Sequence, residues 1–308
     1  MSKLNFPAPE QAEKIGYREK DNDFFITKEL VASFIRKRPL FSHKGNFGHA
    51  LLIAGSRGMT GAVQLAARAC LRSGVGLLTL HVPASAYTIV QTAVPEAMAE
   101  CDAETESVSS IDLKKLEKYT AVGIGPGLGR STEAARCLKQ LLQYYRRPIL
   151  CDADALNILS ENPTWMEFLP AGSVLTPHIG ELERLIGPCA DAYERMEKTR
   201  KLALRHRCVC LIKGAFTAVV CPDGQVFFNT TGNPGMATGG SGDVLTGIIL
   251  SFMAQGYTSV QSAISGVFLH GLSGDLALAN ESEESLLAGD LITHLGKAFK
   301  TLTSFHQE

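Results

Sequence analysis

The chain has 308 residues, 45% of them hydrophobic, with a formal net charge of −1. That is material for a sizeable core in one large domain or two smaller ones, and the balanced charge without a long basic run argues against a nucleic-acid partner. The opening stretch MSKLNFPAPEQAEKIGYREKDND lacks the apolar core of a signal peptide, and no segment approaches the roughly 20 apolar residues of a membrane span, so the sequence predicts a cytoplasmic protein with no membrane partner.

Residues 1–26 are polar, contain proline and show weak periodicity, which predicts either a tail or the junction to an upstream domain; residues 27–308 read as one domain. Short apolar runs bounded by Gly, Pro or Asp follow: ALLIAG from Ala50, VGLLTLHVP from Val75, AVGIGPG from Ala121, PILCDAD from Pro148 and SVLTPH from Ser173. They read as buried strands, with helix-period segments between them over Thr60 to Arg72, Ser131 to Tyr145 and Ala192 to His206. Such alternation predicts an α/β fold with a central, mostly parallel sheet and helices on both faces. After Cys208, the runs CVCLIKG, FTAVVCPDG and QVFFNTT, joined by turn signals at Lys213-Gly214 and Pro222-Asp223-Gly224, predict a short antiparallel edge. The last third reads as helices over Val244 to Gln255, Val260 to Leu278 and Leu286 to Lys300.

Ligands of an open parallel sheet collect outside the carboxyl ends of its strands, and several clusters fall at such ends. GIGPGLGRS, Gly123 to Ser131, brings permissive backbone to a helix start, although a tight strand-to-helix turn has the same composition. Asp152 and Asp154 close CDAD; one of them could cap the next helix, and together they could hold Mg²⁺ through water. His178, Glu181 and Arg184 share one face of a helix beginning near Gly180, either as an exposed polar face or as binding groups. Lys213 sits in a hairpin turn, where a lysine is ordinarily solvated. His49 at a strand start reads as structural, and Ala62, Ala66, Ala67 and Ala69 suit close helix-to-sheet packing. The eight cysteines read mostly as small buried hydrophobes, with Cys208 and Cys210 on one strand face and no zinc spacing.

The densest signal is NTTGNPGMATGGSGDVLTG, Asn229 to Gly247. Gly232, Gly235, Gly239, Gly240 and Gly242 free the backbone to lie against a ligand, and the apolar period from Val244 opens a helix whose N–H groups point at an anion. Asp243 falls where a helix N-cap belongs. A phosphate beside it would be repelled, unless the carboxylate serves as a proton acceptor or meets a metal.

In order along the chain, KGNFGHALLIAGS, GIGPGLGR, CDADALN, LTPHIGELERL, KGAFT and the glycine-rich stretch resemble the ADP- or ATP-dependent NAD(P)H-hydrate dehydratases of the ribokinase-like superfamily, over about Thr27 to Lys300. The resemblance implies phosphorylation of the C6 hydroxyl of hydrated NADH or NADPH (NADHX, NADPHX; the S epimer), followed by elimination of phosphate. ADP is preferred over ATP as the expected donor, with Mg²⁺ as cofactor. It implies Asp243 as base, with Gly240 and Gly242 among the amides that stabilise the transferred phosphoryl group. Ala50, Gly129, His178, Glu181 and Arg184 would meet the hydrated dinucleotide together with Asp243. Lys213, Gly214, Ala215, Phe216 and Thr217, with Asn233, Gly235, Met236, Ala237, Thr238, Gly239, Gly240, Ser241 and Gly242, would surround ADP or its product AMP. The family implies a homotetramer and an epimerase, fused upstream or separate, as partner. Two rivals share the motifs: a small-molecule alcohol kinase acting on a sugar, hydroxymethylpyrimidine or hydroxyethylthiazole, and a catalytically silent nucleotide-binding protein.

Overall fold

The computed structural model describes residues 22–303, together with Lys14 and Tyr17. Most of the polar segment before residue 22 lies outside the described residues.

Ten strands form one sheet: β1 (Asp23–Phe25), β2 (His49–Ile53), β3 (Leu77–Val82), β4 (Met98–Cys101), β5 (Ala121–Ile124), β6 (Ile149–Cys151), β7 (Val174–Leu175), β8 (Val209–Ile212), β9 (Ala218–Val220) and β10 (Val226–Phe228), in the spatial order β1-β10-β9-β8-β7-β6-β5-β2-β3-β4. The central strands are buried along nearly their whole length, as strands covered on both faces must be, which is why they read as apolar runs rather than alternating ones. The predicted antiparallel edge is present: β9 pairs antiparallel with both β8 and β10.

One boundary moves. Asp23–Phe25, placed with the polar tail by composition, pairs in parallel with β10, and Phe25 and Ile26 are buried. Phe24 stacks on Phe227 and Phe25 packs near Phe228, so two aromatic cross-strand pairs hold a segment too short for a periodic signal.

Ten helices flank the sheet within the described residues. Helices α1 (Lys28–Phe34), α2 (Thr60–Arg72), α3 (Ala84–Ala93), α8 (Ser241–Ala254), α9 (Ser259–Ala277) and α10 (Ala288–Thr303) build the core of one face. Helices α4 (Thr132–Tyr144), α5 (Asp154–Glu161), α6 (Ile179–Ile186) and α7 (Ala192–His206) cover the other. None of the described helices is long and apolar enough to cross a membrane.

Helix α8 is buried on almost every side, which explains its uniformly apolar sequence. A side chain at Gly247 would collide with the backbone of Ala66, and Ala69 lies beside it. The small residues Ala66 and Ala69 of α2 therefore serve a close helix-to-helix contact with α8, not the expected approach to the sheet. Six of the eight cysteines are buried, and Cys208 and Cys210 enter the same core. His49 accepts or donates a hydrogen bond at Thr79 and meets the edge of Tyr119, which matches its structural reading.

The chain runs outward from β2 in both directions, to β3 and β4 on one side and to β5 through β8 on the other. That reversal lies between β2 and β5, whose following loops meet at the carboxyl ends of the strands, where the Gly55 N–H donates to the Pro126 carbonyl at 2.9 Å.

Candidate active site

The glycine-rich stretch ends at the start of α8. Gly240 is the N-cap residue, held left-handed at φ +90°, and no side chain caps the helix. Its first-turn amides are thus available to an anion. Asp243 is the third helical residue, about one turn past the observed cap Gly240, because the helix begins at Ser241, three residues before its apolar period does. Asp243 therefore does not cap α8. Burial, and then the nearby negative charge of Asp152, raise its carboxyl pKa to about 7, with Asp154 acting in the same sense and Lys213 opposing it. A carboxyl group poised there can accept a proton near neutrality.

Asp152 directly follows β6, and its side chain is almost fully buried. It accepts from Lys213 Nζ at 3.0 Å and from Thr246 Oγ1 at 2.6 Å. Lys213 is thus mostly enclosed in an ion pair, not solvated in its turn, and its ammonium lies beside the first turn of α8, near Gly242. Asp154 accepts from the Gly129 N–H at 2.8 Å and tethers the GPGLG loop. Neither acid caps α5, whose N-cap is Ala153 with no side-chain hydrogen bond. Ala153 has φ +47°, a left-handed conformation that costs a non-glycine residue on the order of 1–3 kcal/mol. That strain turns Asp152 toward α8 and Asp154 toward the Gly129 loop from adjacent positions.

His178 caps α6: its Nδ1 accepts from the Gly180 N–H at 3.0 Å, while Glu181 returns a carboxylate to the His178 N–H at 2.9 Å. His178 is therefore the N-cap of α6 and not a member of its helical face, and the pair forms a reciprocal cap. His178 also bridges Lys213 across the sheet end, with its imidazole more than half exposed toward solvent. Arg184 donates to Asn157 Oδ1 at 2.7 Å. In the KGAFT turn, Thr217 Oγ1 donates to the Gly214 carbonyl, Ala215 is exposed, and Phe216 has φ +55°. Asn233 caps the short 3-10 turn Pro234–Met236 by accepting from the Gly235 N–H. Ala237 and Gly239 are exposed, with Thr238 partly so.

The structure thus gathers Gly129, Asp152, Asp154, His178, Lys213 and the start of α8 at one end of the sheet. Ala50 does not join them; it is fully buried inside β2 and offers no surface to a ligand. Thr246, absent from the sequence reading, lies one turn after Asp243, a spacing that could have flagged it. No cluster of three or more metal-ligating side chains occurs among the described residues. The carboxylates of Asp152 and Asp154 are already engaged by Lys213, Thr246 and the Gly129 amide, so this donor set does not form a metal cage of its own.

A family model described as NAD(P)H-hydrate dehydratase matches residues 50–297. The chain belongs to the NAD(P)H-hydrate dehydratase family. Among its relatives, the chain is 39% identical to a bifunctional NAD(P)H-hydrate repair enzyme of Moorella thermoacetica, over 91% of this chain and 54% of that protein. It is 32% identical to an ADP-dependent (S)-NAD(P)H-hydrate dehydratase of Bacillus subtilis, over 90% of this chain and 98% of that one. The crystal structure of the Bacillus subtilis dehydratase co-crystallised with ATP/Mg²⁺ superposes with a TM-score of 0.76 at 30% identity, covering 92% of this chain and all of that one. The chain spans about half the length of the bifunctional relatives it matches. A ribokinase of Thermotoga maritima, 13% identical with a TM-score of 0.57, shares the fold. The chain is therefore ribokinase-like in architecture.

Proposed function

We propose that the chain dehydrates the S epimer of hydrated NADH and NADPH, with ADP in preference to ATP as phosphoryl donor. The observation that carries this reading is Asp243, a carboxyl group with a pKa near 7 in the first turn of a helix whose amides face an anion site. The C6 hydroxyl oxygen attacks the terminal phosphorus of ADP while its proton passes to Asp243, and AMP departs. The C6–O bond then breaks with loss of the neighbouring carbon's proton, which restores the ring double bond and releases inorganic phosphate. Hydrate plus ADP thus gives reduced coenzyme, AMP and phosphate. The chain's own part is positioning and electrostatics: the amides at Gly240 and Gly242 meet charge on the phosphoryl group, and Lys213 supplies a fixed cation beside them.

By the family resemblance, Gly129, His178, Glu181 and Arg184 face the dinucleotide, and Lys213 to Thr217 with Asn233 to Gly242 face the nucleotide. Mg²⁺ bound to the nucleotide phosphates would supply charge neutralisation, and Asp152 and Asp154 would reach it only through water. The resemblance also supports a homotetramer and an epimerase partner supplying the S epimer.

Incubation with hydrated NADH, Mg²⁺ and either ADP or ATP tests the reading. Absorbance at the reduced-nicotinamide band should recover, faster with ADP. Recovery with neither donor would defeat the proposal, and phosphorylation of hydroxymethylpyrimidine or hydroxyethylthiazole in its place would establish the kinase alternative.

A further inference from the structure

Helix α9 carries the sequence HGLSGD, His270 to Asp275, on the side that underlies the glycine-rich stretch. Asp275 takes the upstream end: its carboxylate accepts from the Gly232 N–H at 2.9 Å and from Asn233 Nδ2 at 3.1 Å. The second bond fixes the Asn233 amide, so that its oxygen is free to accept from the Gly235 N–H at 3.1 Å. His270 takes the downstream end, with its Nε2 at 2.9 Å from the Ser241 carbonyl and 3.2 Å from Ser241 Oγ.

Between these points the helix is bare. A side chain at Gly271 would collide with Thr231, and one at Gly274 with Met236. Gly271 lets the loop backbone lie directly on α9, and Gly274 leaves room for the Met236 side chain. The helix backbone adds two more ties, as the Val267 carbonyl accepts from Asn229 Nδ2 and the Phe268 carbonyl accepts from Thr231 Oγ1.

We infer that His270 and Asp275 are positioning residues that clamp the two ends of the nucleotide loop onto α9, His270 aiming the phosphoryl-binding amide and Asp275 setting the loop's reach. The peptide plane supplies the mechanism. A trans peptide points its C=O and N–H in opposite directions, so a donor that holds the Ser241 carbonyl also orients the Gly242 N–H. That amide lies one residue before the base. Holding the carbonyl requires an imidazole with hydrogen on Nε2 and no net charge next to Lys213; desolvation lowers the His270 pKa to about 4 and keeps it neutral. Asp275 acts at the other end of the loop, on Gly232, nine residues upstream of Ser241, and its hydrogen bonds go to Gly232 and Asn233.

The inference rests on the proposed function, because it assigns the loop to the nucleotide. It predicts a split that loss of stability alone would not produce. His270→Phe should lower kcat for coenzyme recovery by about tenfold or more, as expected for a lost hydrogen bond to a transition-state group, with little change in nucleotide KM. His270→Gln, which returns an N–H at the same reach, should restore most of the rate. Asp275→Asn should raise the nucleotide KM by about tenfold and change kcat less. Circular dichroism melts and calorimetric titration with ADP accompany each variant. If kcat and KM change together in all three variants, or if glutamine does not rescue, the clamp assignment fails. If the wild-type protein neither binds ADP or ATP nor recovers coenzyme, it is the underlying functional reading that fails.

Discussion

An aspartate in water releases its proton at a pH of about 4 and is a poor base at neutrality. Asp243 escapes that limit by being buried beside Asp152 and Asp154, so its proton affinity approaches that of a group useful near pH 7. Below about pH 7 the base is protonated and idle. Turnover should accordingly rise with unit slope up to about pH 7 and level off above it, and a kcat/KM profile checks this. Lys213→Met removes the opposing cation, so the rising limb should move to higher pH. Asp243→Asn should lower kcat at least about 100-fold, with nucleotide affinity unchanged or improved because a negative charge beside the phosphates is gone. The same substitution has a consequence for stability. A carboxyl group whose folded pKa is raised favours the folded state at low pH, and that contribution is lost as pH rises from about 4 through about 7. Above pH 7 the asparagine variant should therefore melt ~2–4 °C higher than wild type, by differential scanning calorimetry, while being nearly inactive.

At the scale of elements, α8 joins the proposed site to the core. Gly240 sets its left-handed entry, and Gly247 lets it touch the α2 backbone. Gly247→Ala must push α8 away from Ala66, and should cost about 1–3 kcal/mol in a denaturant titration, as overpacking does. Gly240→Ala meets only the flexible end of Leu65 and Ala288. Its main cost is the left-handed backbone, about 1–2 kcal/mol, with a larger relative loss in nucleotide affinity by calorimetry than Gly247→Ala produces. The start of α8 shows how far local pattern reaches. Glycine density marks the proposed anion site, yet apolar periodicity begins at Val244 and cannot reveal that Ser241 and Gly242 are already helical. Likewise, His178 and Glu181 share a helical spacing in the sequence, while their reciprocal capping depends on where α6 begins.

At the scale of the whole molecule, nucleotide binding should stabilise the folded chain by mass action. At an ADP concentration 100 times its Kd, the gain is about 2.7 kcal/mol, readable as a raised melting temperature that Asp243→Asn preserves. The amino-acid sequence by itself determined the alternation of strands and helices, the mostly parallel sheet, the reversed strand after Cys208 and the glycine-rich loops at the strand ends. These follow from periodicity, glycine and turn residues acting over a few positions. It did not determine that Asp152 meets Lys213 across 61 residues and Thr246 across 94, or that Asp23–Phe25 closes the sheet. Nor did it reveal the proton affinity of Asp243. Strand order and burial decide these, because desolvation and charge pairing act between segments brought together only when the sheet assembles.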